Sequence, residues 1–133
     1  MSRLKAAQIA CTNHYIHILD STHRLWEVEN LPPGYPTNFQ LGCLVVDNYP
    51  FTQIGTASNW TQVACGDHHV VALKSDGTLW GLGSNSGGQI GVTENSSTFA
   101  QIETANDWVQ VDCGSYHTVA LKSDGTLWGL GSN

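Results

Sequence analysis

The feature of this sequence that most constrains its fold is an internal repeat. Residues 59–85 and 107–133 match at 21 of 27 positions, with a constant offset of 48. A more degenerate copy, residues 8–26, aligns without gaps on residues 62–80 at an offset of 54. Repeats of this length are supersecondary units that stack on one another, because one unit cannot bury its own apolar face. The chain therefore comprises three copies of one unit.

Each copy has the pattern of short strands joined by tight turns. In the second copy, residues 70–73 and 78–80 are β-prone and flank Asp76-Gly77, which is a strong hairpin signal. The third copy repeats this turn at residues 124–125, whereas the first has Ser-Thr-His at residues 21–23. Because it lacks the glycine, the first copy is predicted to have a less regular turn. No segment has a sustained helical apolar period, so little or no helix is expected.

The repeat resembles the regulator of chromosome condensation repeat family. The residues that carry the resemblance are Cys-Gly-x-x-x-His, a strand, Asp-Gly and Leu-Trp-Gly-x-Gly-x-Asn, followed by Gly-Gln-Ile-Gly at residues 88–91. The similarity is closest in style to bacterial and viral members. It implies an all-β fold: a partial β-propeller of about three blades, each an antiparallel four-stranded sheet, in an incomplete ring. The expected blades are at about residues 5–58, which is degenerate, 59–106, and 107–133, which is incomplete.

An incomplete ring is expected to leave two open flanks that expose apolar faces and strand edges. A protein partner or further copies of the chain would then cover these flanks. Two tryptophans, Trp80 and Trp128, are expected to fill the space between adjacent sheets. Four glycines are expected to let those sheets approach closely: Gly81, Gly83, Gly129 and Gly131.

The charge of the chain argues against two classes of partner. Eleven acidic side chains against five basic ones give a net charge of −6. This charge repels both a phosphate backbone and an anionic membrane, so neither nucleic acid nor a membrane is expected as a partner. The apolar stretches are too short for a membrane span or a signal-peptide core. Cytoplasmic synthesis without a signal peptide is predicted, with later assembly into a particle as a further hypothesis.

A histidine follows each of three equivalent cysteines: Cys11 and His14, Cys65 and His69, Cys113 and His117. Zinc sites use closely spaced ligand pairs, whereas these residues recur once per copy, so no metal site is expected. In an extended strand, Cys65 and His69 would lie about 13 Å apart, and only a tight turn at Gly66 could join them as nucleophile and base. We expect reduced, buried cysteines and no catalytic residue. Whether the cysteines have a role beyond packing stays open.

Two further segments bear on ligand and partner binding. The glycine-rich residues 81–88 lack the spacing, the lysine and the following helix of a phosphate-binding loop, so no cofactor is expected. The loop at residues 31–38 places Tyr35 between prolines, and a semi-rigid aromatic tip costs little entropy to dock. This tyrosine is therefore a candidate partner contact.

The two close copies differ at six pairs of positions: Asn59/Asp107, Thr61/Val109, Ala64/Asp112, Asp67/Ser115, His68/Tyr116 and Val70/Thr118. Substitutions on a constant scaffold are where a propeller would encode binding specificity, and drift at tolerant positions is the equal alternative. The candidate partner contacts are therefore Tyr35, Asp67, His68, Asp112, Ser115 and Tyr116.

These observations favour a non-catalytic protein–protein interaction or structural module built from propeller repeats. A structural component of a larger assembly, such as a phage or virus particle, is the alternative. The family resemblance also implies a third hypothesis, a nucleotide exchange factor for a small GTPase. It ranks lowest because that role would require a basic tail and a complete ring, and the sequence has neither.

Overall fold

The computed structural model describes residues 6–12, 15–29, 52–91 and 95–131, which form strands, turns and loops without a helix. The first sheet comprises β1 (Ala6–Cys11), β2 (Tyr15–Asp20), β3 (Leu25–Glu29) and β4 (Thr52–Gln53). The second comprises β5 (Trp60–Cys65), β6 (His69–Lys74), β7 (Leu79–Gly83) and β8 (Ser96–Ile102). The third comprises β9 (Trp108–Cys113), β10 (His117–Lys122) and β11 (Leu127–Gly131).

Each sheet is an antiparallel meander in which the strands follow one another in chain order. The first two sheets have four strands, and the third has three among the described residues. We call these sheets blades 1, 2 and 3. The prediction of an all-β, partial propeller with an incomplete ring is confirmed, because the described residues form three open antiparallel sheets, arranged as successive blades, and no helix.

The turn between the second and third strands has one backbone conformation in all three blades. Gly77 adopts a positive φ of 84°, and His23 takes the equivalent place in blade 1 with a φ of 66°. The N–H of His23 donates to the carbonyl oxygen of Asp20 at 3.1 Å, and in blade 2 the N–H of Gly77 donates to the carbonyl oxygen of Lys74 at 3.0 Å. The Asp20 carboxylate also accepts the backbone N–H groups of Thr22 and Arg24 at 2.8 and 3.0 Å, which fixes the loop without a glycine. The prediction of a less regular turn in blade 1 is therefore wrong.

The apolar core lies between the blades, and blade 2 buries both of its faces, one against each neighbouring blade. The middle strand of blade 2 shows this alternation: Val70 and Ala72 pack towards blade 1, and Val71 and Leu73 pack towards blade 3. Leu19 and Leu25 form the blade 1 side of the first interface, and Trp108 contributes to the blade 3 side of the second. The first strands of successive blades, β1, β5 and β9, lie next to one another.

The flank of blade 3 is open. Residues 75–85 and 123–133 have identical sequences, yet Leu79 is 0% exposed and Leu127 is 71% exposed. On the opposite side of the array, Ile18 of blade 1 is only 1% exposed. The prediction of an exposed apolar flank is thus confirmed for blade 3, whereas Ile18 of blade 1 is buried.

The glycines and tryptophans that were expected between adjacent sheets have different surroundings. A Cβ added at Gly81 would lie 2.8 Å from Cβ of Ile90, whereas one at Gly129 would meet nothing within 4 Å. Gly81 is therefore closely approached by residues of its own blade rather than by an adjacent sheet, and neither kind of approach occurs at Gly129 among the described residues. Trp80 packs against the core between blades 1 and 2. Trp128 lines a cavity between blades 2 and 3 and is 50% exposed. The other two glycines, Gly83 and Gly131, approach carbonyl oxygens of their own blades, those of His68 and Tyr116.

Candidate functional site

In blades 1 and 2, a glutamine on the first strand reaches across to the next blade. The side-chain oxygen of Gln8 accepts the backbone N–H of Val63 at 3.1 Å. Gln62 makes two such bonds, donating to the carbonyl oxygen of Val109 at 3.1 Å and accepting the N–H of Val111 at 3.2 Å. The side-chain amide therefore joins two strands that are not paired through their own backbones.

The third glutamine, Gln110, occupies the equivalent position on β9 and is exposed. Its amide faces the side on which no further blade packs among the described residues. Sequence reasoning missed this set, although the signal was present: all three copies retain glutamine at this position of the first strand, at Gln8, Gln62 and Gln110.

A buried histidine links blades 2 and 3. His69 is fully buried, and its Nε2 lies 3.1 Å from Oγ1 of Thr118. The Thr118 hydroxyl donates its only proton to the carbonyl oxygen of Gln89 at 2.7 Å, so it accepts the bond from Nε2–H of His69. Burial lowers the pKa of His69, which favours this neutral ring. The Val70/Thr118 difference between the copies is therefore explained by packing rather than by partner binding.

Cys65 does not pair with His69, the histidine that follows it. Sγ of Cys65 lies 3.6 Å from Nδ1 of His17, which belongs to blade 1, whereas His69 bonds to Thr118. Burial raises the pKa of the Cys65 thiol and raises that of Cys113 to about 12, while burial lowers the pKa of His17 to about 4. A protonated thiol beside a neutral imidazole is a poor nucleophile and a poor metal ligand.

The expectation of buried cysteines is only partly met. Cys65 and Cys113 are half-buried and Cys11 is exposed, because no blade precedes β1 in the described part of the chain. His14 lies outside the described residues. Within those residues, no group of three or more His, Cys, Asp or Glu side chains is placed to hold a metal ion.

Four of the predicted contact residues meet at one end of the blades. Asp67 and His68 lie in the loop between β5 and β6, and Ser115 and Tyr116 lie in the equivalent loop between β9 and β10. The backbone N–H of Asp67 donates to the carbonyl oxygen of Ser115 at 3.2 Å, which joins the two loops. Tyr116 is 52% exposed and His68 is also exposed. We call these four residues the rim; the fifth candidate, Tyr35, lies outside the described residues.

The sixth candidate, Asp112, lies on a different surface. It borders a groove of about 190 Å³ on the uncovered side of blade 3. We call this surface the open flank and define it by five groove residues: Gln110, Asp112, Val119, Leu121 and Leu127. The equivalent of Asp112 in blade 2 is Ala64, which is buried against blade 3. The carboxylate of Asp112 therefore occupies the position at which blade 2 buries the methyl group of Ala64 against blade 3.

The predicted contacts thus form two surfaces rather than one. Two of the six pairs of differing positions have a role inside the fold. Thr118 bonds to His69 of blade 2, and the Thr61 hydroxyl donates to the carbonyl oxygen of Leu73 within its own blade at 3.1 Å.

No helix in the described residues is long and apolar enough to cross a membrane.

Comparison with known proteins agrees with this architecture. Residues 60–89 and 76–121 match the regulator of chromosome condensation (RCC1) repeat. No curated protein matches the sequence.

Three solved structures have the same fold over 98% of this chain. They are Prp20p from Saccharomyces cerevisiae (22% identity, TM-score 0.71), yeast RCC1 (Prp20) bound to Kap60 (21%, 0.72) and human WBSCR16 (19%, 0.68). The chain spans 32%, 30% and 35% of those chains, respectively, which is about a third of their length. At these identities the similarity establishes the fold alone. The chain thus carries regulator of chromosome condensation repeats at residues 60–89 and 76–121.

Proposed function

We propose that the chain is a non-catalytic protein-interaction module whose principal contact surface is the open flank of blade 3. One observation carries this proposal. Leu79 and Leu127 occupy the same position in identical local sequences, but the first is fully buried against a following blade and the second is 71% exposed. Exposed apolar faces of this kind mark protein interaction sites in soluble proteins.

Charge and polarity narrow the kind of partner. The open flank combines the apolar side chains of Val119, Leu121 and Leu127 with the amide of Gln110 and the carboxylate of Asp112. An Asp at the contact favours a partner that presents a cation or a hydrogen-bond donor, and the net charge of −6 favours basic partners in the encounter. We therefore propose a protein partner, with no role for nucleic acid or membrane. From the sequence we also propose cytoplasmic synthesis without a signal peptide.

Two further facts support a binding role. The solved structure of Prp20p is described together with its binding to Gsp1p and histones, and yeast RCC1 was solved bound to Kap60, so proteins with this fold bind other proteins. The raised pKa values of Cys65 and Cys113 disfavour thiol catalysis, which supports a non-catalytic module. The rim lies at the ends of the same blades and would provide a second contact.

The partner class includes further copies of this chain. Association through the open flank would also serve a component of a larger assembly, such as a phage or virus particle, and that role remains our alternative. Nucleotide exchange on a small GTPase ranks lower, and acceleration of nucleotide release from such a GTPase by the purified chain would reverse this order.

Sedimentation equilibrium over a wide range of protein concentration tests the proposal. We expect the purified chain to associate in a concentration-dependent manner. The Leu127→Glu variant should shift the equilibrium towards monomer, because a carboxylate placed in the apolar flank beside Asp112 must be desolvated on association. The matched control is Ser75→Glu, which adds the same charge at an exposed turn of blade 2 and should behave like the parent.

Two results would contradict the proposal. One is a chain that stays monomeric at every concentration and fails to bind a dye specific for exposed apolar surface. The other is association that responds equally to Leu127→Glu and to Ser75→Glu.

A further inference from the structure

We infer that the rim binds an arginine side chain of a protein partner, whose guanidinium stacks on the ring of Tyr116 and pairs with the carboxylate of Asp67. This inference deepens the proposed function, on which it rests, because it names the chemistry that a partner presents to the second contact surface. It concerns the loops at one end of the blades and not the open flank.

The rim is a fixed surface, because its two loops are held to each other. The N–H of Asp67 donates to the carbonyl oxygen of Ser115 at 3.2 Å, so Asp67 lies beside the residue that precedes Tyr116. The N–H of Gly66 donates to the carbonyl oxygen of His69 at 2.8 Å, which closes the loop of blade 2 on itself. A ligand would therefore meet side chains on ordered loops, and little entropy would be lost in arranging them.

The exposure of the aromatic ring belongs to its place in the loop. Tyr116 is 52% exposed. His68 takes the equivalent place in blade 2, which packs against a blade on each face, and it is also exposed. A ring at this position is thus accessible even in a blade that is covered on both faces.

The protein already holds cations against aromatic rings at the opposite end of the blades. Nζ of Lys122 lies 4.9 and 4.6 Å from the ring centroids of Trp108 and Trp128. The same Nζ lies 3.8 Å from Oδ1 of Asp107. In blade 2, Nζ of Lys74 lies 4.9 and 4.3 Å from the centroids of the two equivalent tryptophans. A ring face and a carboxylate together therefore attract a cation in this fold.

The rim has the ring and the carboxylate of such a site but no cation of its own. Among the described residues, Asp67 has no ion-pair partner, and no basic side chain lies over the ring of Tyr116. The basic side chains in this part of the chain, Arg24, Lys74 and Lys122, all lie at the far ends of their blades. A cation at the rim would therefore come from a partner, and the net charge of −6 favours its approach.

The shape of the site favours arginine over lysine. A guanidinium is planar, so it can stack its face on the ring of Tyr116 while its N–H edge donates to the carboxylate of Asp67. An ammonium has no flat face and is more strongly hydrated. A preference for arginine would therefore separate this site from the general attraction between a basic peptide and an acidic chain.

Fluorescence anisotropy with labelled peptides tests the inference on the full chain. The probe alternates glycine and arginine, and two comparison peptides of the same length carry lysine or citrulline in place of arginine. We expect saturable binding of the arginine peptide and binding at least about threefold weaker for the lysine peptide. The citrulline peptide should show no saturable binding, because citrulline keeps the planar shape of the arginine side chain but has no charge.

Protein variants locate the site. Tyr116→Leu removes the aromatic face and Asp67→Asn removes the charge, so each should weaken binding of the arginine peptide by at least about threefold. Tyr116→Phe restores the ring and should recover most of the affinity that Tyr116→Leu loses. The matched control is Asp124→Asn, which removes the same charge at an exposed turn at the opposite end of the blades and should bind like the parent. Circular dichroism verifies that all four variants are folded.

The inference is overturned if the lysine peptide binds as tightly as the arginine peptide, if folded Tyr116→Leu retains the parental affinity, or if Asp124→Asn weakens binding as much as Asp67→Asn. These results are separable from those of the proposed function. Association that depends on Leu127 without a preference for arginine would leave the open flank as a contact surface and reject the rim site. Arginine-specific binding by a strictly monomeric chain would do the reverse.

Discussion

Polar side chains that cross between blades are the residue-scale feature that sets how the sheets stack. The apolar core alone would tolerate many offsets of one sheet against the next, since hydrophobic burial has no direction. The amide of Gln62 and Nε2 of His69 make directional hydrogen bonds, to the backbone of β9 and to Thr118, and these bonds form at one placement of blade 3. Buried polar groups without partners are costly, so these bonds also select the native stacking.

The paired glutamines give a direct measurement of this effect. Gln62→Ala removes two bonds to the backbone of β9 and leaves a donor and an acceptor unpaired, so we expect a loss of about 1–3 kcal/mol in the free energy of unfolding. Gln110→Ala changes the same residue type at the same blade position where the side chain is exposed, and it should cost less than about 0.5 kcal/mol. Urea denaturation at neutral pH compares them. Equal losses in the two variants would show that the hydrogen bonds of Gln62 to blade 3 do not contribute to the free energy of unfolding.

Burial of His17 predicts a pH dependence of stability. Its pKa is lowered to about 4 in the folded chain by burial, against about 6.5 when unfolded. Between these values the unfolded chain binds a proton that the folded chain does not. The stabilisation is therefore fully present above pH 6.5 and is lost as the pH falls towards 4, by about 3 kcal/mol.

The variant that tests this dependence is His17→Val, because valine occupies the equivalent position, Val71, in blade 2. Urea midpoints measured between pH 7 and pH 4.5 should fall less steeply in the variant than in the parent. Part of the slope should remain, since burial also lowers the pKa of His69. A parental slope in the variant would mean that His17 does not titrate as its burial requires.

Hairpin turns connect the blades at the scale of the element. The carbonyl oxygen of Gly77 accepts the N–H of Trp108 at 3.0 Å, and that of His23 accepts the N–H of Trp60 at 3.1 Å. Each turn therefore holds the first residue of the next blade's first strand. The turn of blade 3, at Gly125, has the same backbone conformation but no following strand among the described residues.

This difference makes Gly77 and Gly125 a matched pair for substitution. Both have φ near +85°, namely 84° and 86°, so alanine should cost about 1 kcal/mol at either position from backbone strain. At Gly77 the added Cβ would also overlap the carbonyl oxygen of Asn106, whereas at Gly125 it would meet nothing within 4 Å. Gly77→Ala should therefore be the more destabilising variant, by about 2 kcal/mol or more in thermal or urea unfolding. Equal losses would show that the turn of blade 2 is free to move away from blade 3.

The sequence predicted elements better than it predicted contacts between them. Asp-Gly turns and short β-prone runs locate the hairpins because those signals are local. The role of Thr118 could not be read in this way, since its partner His69 is 49 positions distant along the chain and the bond exists only after stacking. For the same reason Asp67 and Asp112 looked equivalent as variable positions, although they lie on different surfaces. The exposure of the flank of blade 3 was predictable, because a blade without a following blade exposes its outer face whatever its contacts elsewhere.

At the scale of the whole molecule, stability depends on the number of interfaces between blades. In a linear array of repeats, each added unit contributes its own stability and one nearest-neighbour interface. Blade 2 has two such interfaces and blade 3 has one among the described residues. Val119, Leu121 and Leu127 are the side chains that a further interface would bury, and their counterparts in blade 2 are Val71, Leu73 and Leu79.

Extending the chain with a second copy of residues 86–133 tests this view of the array. The added segment supplies a strand for the edge of β11 and a blade for the open flank, so the free energy of unfolding should rise by at least about 2 kcal/mol from burial of Leu127 and its neighbours. Amide hydrogen exchange in β11 should slow as well, because its outer N–H groups become paired. The matched control carries Leu127→Glu in the extended chain and should lose most of the gain. If the extended chain were no more stable than the parent, and β11 exchanged at the parental rate, the flank of blade 3 would not be an unsatisfied blade interface, and the case for association through it would fail.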